Sequence, residues 1–258
     1  MFGSNNRSRR RALFFIVILS LSLDALAAGA FVIPPDIASQ YSLATSTSLP
    51  FPSSTQSNTN TQTAILQGWS VNRERIQQGA ENLVFVSDPF PNYQLPGSAS
   101  FPSPSGSVLQ VTYPKGGFGS SGSGAQFYSI WNSTGASFKT MLLTYEVAFD
   151  SSFDWVQGGK LPGLRGGPDP NACGGGSQSD GTCFSTRIMW RKSGDGEGAY
   201  ITPVVPVPVL QLSAPFILPL AYAYILTPNN LCSDRNVLCN DDYGTSLGRG
   251  QFRFQAGQ

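Results

Sequence analysis

From about residue 64 the chain alternates apolar and polar residues with period two, and Gly- or Pro-rich stretches separate the alternating runs. Alternation of this kind marks strands with one buried face. Asn82 to Val86 is a short apolar run that ends before Asp88-Pro89. Val108 to Tyr113 puts Leu109, Val111 and Tyr113 on one face. Met141 to Phe149 does the same for Leu143, Tyr145, Val147 and Phe149, with Glu146 on the other side. Phe184 to Arg191 separates Phe184, Thr186, Ile188 and Trp190 from Ser185, Arg187, Met189 and Arg191. Gln251 to Phe254 is a further short strand. A single short helix is predicted near Asn72 to Ala80. The sum is an all-β domain, an antiparallel β-sandwich or jelly roll.

Three segments break the alternation. Arg7, Arg9, Arg10 and Arg11 precede an apolar run from Ala12 to Leu23, and small residues from Ala25 to Ala30 supply a cleavage site. Residues 1–30 therefore read as a signal peptide and the mature protein as secreted and extracellular. The alternative is an uncleaved membrane anchor, but the run is shorter than the about 20 residues a bilayer span needs. Residues 31–63, rich in Ser, Thr, Asn, Gln and Pro, read as a disordered Ser/Thr-rich linker, and residues 64–258 as the folded domain. Within that domain Ile201 to Tyr222 is uncharged and carries prolines at 203, 206, 208, 215 and 219. So proline-rich a run suits neither a membrane helix nor a central strand. We read 201–222 as an insertion or translated intron.

Composition sharpens this picture. Charged residues are 12% of the 258, with 28 Gly and 19 Pro, which favours short strands and turns over long helices. The net charge of +1 supplies no bulk field for nucleic acid. The chain has no histidine, which removes the Ser-His-Asp triad, the Cys-His dyad and the His-based zinc site together. Any general base must be Tyr, Lys, Asp, Glu or a thiolate. Cys173, Cys183, Cys232 and Cys239 are an even set in an exported chain, and Cys173–Cys183 and Cys232–Cys239 would each close a short loop. Free thiols or a four-cysteine metal site are the alternatives, and the spacings do not fit the usual zinc pairs.

The candidate chemistry sits on three segments. In Trp155-Val-Gln-Gly-Gly-Lys-Leu-Pro-Gly-Leu-Arg-Gly-Gly167, Lys160 lies between a double glycine and Leu-Pro-Gly. Glycines let backbone approach a ligand closely, so Lys160 is either an anion-binding group on a loop or a solvated turn lysine. Ser185 and Arg187 share a strand face, where a guanidinium fork beside a hydroxyl suits a carboxylate; an ordinary solvent-exposed face is the alternative. Arg165 and Arg191, on the same two segments, are candidates for substrate binding. Tyr222 and Tyr224 (Tyr200 and Tyr224 if 201–222 is removed) are two apart and would share a face of a strand. Phenol ionises near pH 10, too high for a base at neutrality. Neighbouring Lys160 and Arg187 would favour the phenolate. The alternative is a pair of structural aromatics.

Taken together, WVQGGKLPGLRGG, CFSTRIMWR, GEGAY…AYI and YGTSLGRGQFRF, with VFVSDPFPN, VLQVTYPKG, SGAQFY and LLTYEVAFDSSFDW upstream, resemble polysaccharide lyase family 14 over about residues 65 to 258. These are alginate- and glucuronan-lyase-like jelly rolls of fungi and viruses. The resemblance implies β-elimination at a 4-linked uronic acid, an anionic polysaccharide substrate, a monomer, no metal and no cofactor. It carries Lys160, Ser185, Arg187 and the Tyr-x-Tyr pair over as functional residues. It also implies that further C-terminal strands follow residue 258 in the family, so the jelly roll is expected to be incomplete and the chain unstable or inactive as it stands. A carbohydrate-binding module on the same fold, or a gene remnant, are the competing readings.

Overall fold

The computed structural model describes residues 34–91, 106–119, 122–131, 138, 140–168, 173, 181–197, 222–224, 230–235, 237–240, 244–250 and 253–257. The signal segment, Tyr200 and the proline-rich run up to residue 221 lie outside them. Among the described residues there are two α-helices and eight strands: α1 (Pro34–Gln40), α2 (Asn58–Gly68), β1 (Leu83–Ser87), β2 (Ser107–Val111), β3 (Gly158–Gly166), β4 (Phe184–Arg191), β5 (Gly196–Glu197), β6 (Tyr222–Tyr224), β7 (Val237–Asn240) and β8 (Gly244–Leu247). All strand pairs are antiparallel. Val32–Thr144 forms one compact unit and Tyr145–Gln258 belongs to a second.

In the first unit, α2 packs on the β1–β2 hairpin. The Ser57 hydroxyl caps the helix by accepting from the Asn60 amide. Thr61, Ile65 and Trp69 follow at intervals of four and are buried on one side. With Val71, Leu83 and Phe85 they form the core, against which Leu109, Val111 and Phe127 pack. The helix also covers the free edge of β1. The Phe85 amide donates to Thr61 Oγ1 at 3.0 Å, and the Asn58 side-chain amide donates to the carbonyls of Ala80 and Leu83 at 2.8 Å. An edge strand so covered cannot template further pairing.

Two expectations change here. The packed core begins inside the stretch assigned to the linker, because α2 needs only a narrow stripe against the hairpin and its remaining faces stay polar. The helix expected at Asn72 to Ala80 is replaced by single 3₁₀ turns at Asn72–Glu74 and Ala80–Asn82. The intervening backbone is committed elsewhere: Asn72 donates to the Tyr128 carbonyl, and Gln77 and Gln78 donate to that of Gln126.

In the second unit the sheet order is β3-β4-β6-β8-β7, and β5 also pairs with β4. β4 is central: β3 covers one edge, and β6 and β5 share the other. Phe149, Phe153, Trp155 and Phe254 pack with Trp190 of β4, with ring centroids 4.7 to 6.1 Å apart across the cluster. Gly159, directly opposite Trp190, makes room for its indole; a Cβ there would sit 2.1 Å from the ring. Both expected disulfides, Cys173–Cys183 and Cys232–Cys239, are present.

One predicted strand does not pair as a ladder, and a second is described only in part. Met141 to Phe149 belongs to no strand among the described residues, although Phe149 is buried and its carbonyl accepts from Gly257. Period-two alternation reports half-burial, not a hydrogen-bonding partner. Of the strand expected over Gln251 to Phe254, the first two residues lie outside the described ones; Arg253 forms an isolated bridge with Asp195, reinforced by their ion pair at 2.7 Å.

Candidate functional site

The glycine-flanked lysine lies on a strand and not on a loop. β3 pairs with β4 in the register Gly158↔Arg191, Gly159↔Trp190 and Lys160↔Met189, then shifts and resumes as Gly163↔Arg187, Leu164↔Thr186 and Arg165↔Ser185. Leu161 and Pro162 together oppose the single residue Ile188, the signature of a β-bulge. Proline, lacking an N–H, is tolerated at such a position. Gly163 closes the bulge against β4, where a Cβ would fall 1.8 Å from the Thr186 carbonyl oxygen. The glycines of the motif thus serve the approach of one strand to the other, not of a ligand to a loop.

The bulge has a consequence for chemistry. Lys160 and Arg165 are five residues apart, and strict alternation would put them on opposite faces. The extra residue restores parity, so Lys160, opposite Met189, and Arg165, opposite Ser185, lie on the face that carries Ser185, Arg187 and Arg191. Tyr145 holds the bulge from outside: its hydroxyl donates to the Pro162 carbonyl at 3.2 Å. Burial raises its pKa well above the ordinary phenol value, so Tyr145 holds its proton and is no candidate base.

On the other edge of β4 the register runs Ser185↔Tyr224, Thr186↔Ala223 and Arg187↔Tyr222. Both tyrosine positions therefore stand directly opposite the two polar residues singled out on β4. Continuing across the sheet, Tyr222 pairs with Ser246 of β8, and Ser246 with Leu238 of β7. One cross-strand row thus reads Gly163, Arg187, Tyr222, Ser246, Leu238.

Ser185 is not a solvent-facing hydroxyl. It is 2% exposed, its Oγ–H donates to the Cys173 carbonyl at 2.6 Å, and it accepts from Arg187 Nη2 at 3.2 Å. Met189, two residues on from Arg187, is buried with Cys173 and Cys183. The polar face of β4 is therefore partly covered by the disulfide, with Arg187 between two buried neighbours. Lys160 is exposed, whereas Arg165, Arg187 and Arg191 are half-buried. Among the described residues no group of three or more His, Cys, Asp or Glu could hold a metal ion.

Three groups near these residues were not legible beforehand. The Cys173 carbonyl carries no side-chain signal. Tyr145 stood in an alternating run, but nothing marked its reach to the bulge. Ser246 is 8% exposed, and its Oγ has no hydrogen-bond partner among the described residues. A buried, unpartnered hydroxyl beside Tyr222 is uncommon, because such groups are costly to leave unsatisfied.

The described residues form a mostly-strand protein of antiparallel sheets, with lysine, arginine and tyrosine positions gathered on one sheet face. The family model described as polysaccharide lyase 14 matches residues 102–206 and 219–258, more than half of the chain, and the chain belongs to that family. The match breaks between 206 and 219, inside the proline-rich run. Among solved structures, the marine PL-14 alginate lyase from Aplysia kurodai is similar at 27% identity and a TM-score of 0.49, over 75% of this chain and 61% of that one. No curated protein matches the chain.

Proposed function

We propose that this protein is a secreted lyase that cleaves a 4-linked uronic-acid polymer of the glucuronan or alginate type by β-elimination, on a jelly roll. The observation that carries the reading is the shared face: Lys160, Arg165 and Arg187 occupy one side of one antiparallel ladder, with Tyr222 and Tyr224 at the adjoining register positions. Membership of a polysaccharide lyase family supports the reaction class. The two disulfides favour an oxidising, extracellular destination.

The chemistry asks for such a face. The proton leaves the ring carbon that bears the carboxylate, the bond from the neighbouring carbon to the glycosidic oxygen breaks, and a carbon–carbon double bond forms between them. The released oxygen takes up a proton, and no water is added. Ionising a carbon beside a carboxylate builds a second negative charge, and fixed cations aimed at that charge give the largest single assistance. Arg187 binds the carboxylate, and Arg165 and Arg191 extend the cationic face along the polymer. Lys160 and a tyrosine of the Tyr222/Tyr224 pair divide proton abstraction and leaving-group protonation between them.

The test is a panel of uronate polymers followed in the near ultraviolet, where the new conjugated double bond absorbs. Rising absorbance with glucuronan or alginate is expected. Binding of those polymers with no new absorbance would reduce the protein to a carbohydrate-binding module.

A further inference from the structure

We propose that the Cys173–Cys183 disulfide positions Arg187 for its work, acting through the Cys173 carbonyl and the Ser185 hydroxyl; this rests on the reading of Arg187 as the carboxylate-binding cation. The hydrogen bonds run in one direction. Arg187 Nη2 donates to Ser185 Oγ, and Ser185 Oγ–H donates to the Cys173 carbonyl. A serine hydroxyl has one proton and two lone pairs, whereas a guanidinium only donates. Committing the proton to the carbonyl leaves the lone pairs, one of which is turned on Arg187. Donation by a hydroxyl also makes it a better acceptor, so each bond strengthens the next.

The carbonyl needs a reason to stay where it is. Cys173 has a φ of 55°, a left-handed conformation that non-glycine residues adopt only when their surroundings hold them there. The disulfide is such a hold: it ties Cys173 to Cys183, which directly precedes β4 and lies two residues before Ser185. Both cysteines are buried with Met189 on the same face of β4 as Arg187. The second disulfide is a natural control, since Cys232–Cys239 ties a 3₁₀ turn to β7, a strand that among the described residues pairs only with β8. On this reading Ser185 is a positioning residue, 2% exposed, that reaches substrate through Arg187 and not by its own contact.

The experiment is a double-mutant cycle on the full chain: wild type, Ser185→Ala, the Cys173→Ala/Cys183→Ala pair and the triple variant, with Cys232→Ala/Cys239→Ala as control. Two readouts are taken. The first needs no activity: the NMR resonance of the Arg187 side-chain Nε–H, assigned by its disappearance in Arg187→Lys. It is expected to move in Ser185→Ala and in the 173/183 pair, to move no further in the triple variant, and to stay in the 232/239 control. The second is steady-state kinetics on whichever uronate polymer the wild type cleaves. A fall in kcat/KM of about tenfold or more is expected for both lesions, as for a misplaced binding group. The triple variant should be no worse than either alone, and Ser185→Thr, which keeps the hydroxyl, should recover much of the loss. An Arg187 resonance unmoved in a folded 173/183 variant, or losses that multiply in the triple variant, would overturn the proposal. A wild type inert on every polymer, with the resonance behaving as expected, would sink the lyase reading and leave the tether standing.

Discussion

The two compact units solve the problem of staying folded in different ways. Val32–Thr144 has an ordinary apolar core, with Ile65, Leu83 and Phe85 fully buried and the hairpin edge sealed by side chains of α2. The sheet of Tyr145–Gln258 has a thin buried set: an aromatic cluster on one face of β4, a cysteine–methionine patch on the other, and two disulfides. That second unit also carries all the residues proposed for chemistry. A sheet face that carries cations has less area left for apolar burial, and covalent ties compensate where a core is small. The contrast teaches that substitutions in the first unit should register as stability, and those on the β3–β4 face as activity.

The largest effect is expected from Phe85→Ala. The ring is fully buried, so about 3–5 kcal/mol of stability should be lost by denaturant titration, in line with other large core truncations. Loss of that size with turnover per folded molecule unchanged would sharpen the division. Next comes Lys160→Ala, whose side chain is exposed on the proposed catalytic face. It should lower kcat by about 100- to 1,000-fold, the usual cost of removing one charge-stabilising donor, while leaving the unfolding midpoint nearly in place. A variant that unfolds instead would break the division.

A smaller effect is expected with pH. Burial pushes Tyr113, in the first unit, up to about 12 from its ordinary value of 10.0. A phenol with a raised folded-state pKa binds its proton more tightly when folded, so its contribution is fully present below pH 10 and is lost as pH rises toward about 12. Denaturant titrations should show the first unit weakening over that window, and Tyr113→Phe should flatten the dependence. The smallest effect belongs to Ser246→Ala. Removing an unpartnered buried hydroxyl should change stability by no more than about 1 kcal/mol in either direction. A large loss of activity with stability intact would instead give Ser246, in the row with Arg187 and Tyr222, a partner in the substrate complex.

Some of this was legible before any coordinates. The strand Phe184–Arg191 has the bounds its alternation predicts, and β1 and β2 fall within a residue or two of theirs. Both cysteine pairs follow from spacing, since nearby partners close cheap loops. By contrast β3, read as a glycine loop around Lys160, hides its strand character because three of its first six residues are glycine. Those glycines answer to Trp190 and to the β4 backbone across the ladder, a constraint that exists only once the strands pair. Ser185 illustrates the same limit. Alternation put it on the polar face, yet it is buried there and bonded to the Cys173 carbonyl.

The sequence alone determined which residues could do chemistry without histidine, which pairs of cysteines could close, and which segments would be half-buried strands. Those properties are local: residue type, spacing and period are carried by a few neighbours along the chain. Only the tertiary structure decided that Lys160 and Arg165 share a face with Arg187. That outcome turns on one extra residue in one strand of a pair, and parity in a sheet is a property of the register between segments far apart in sequence.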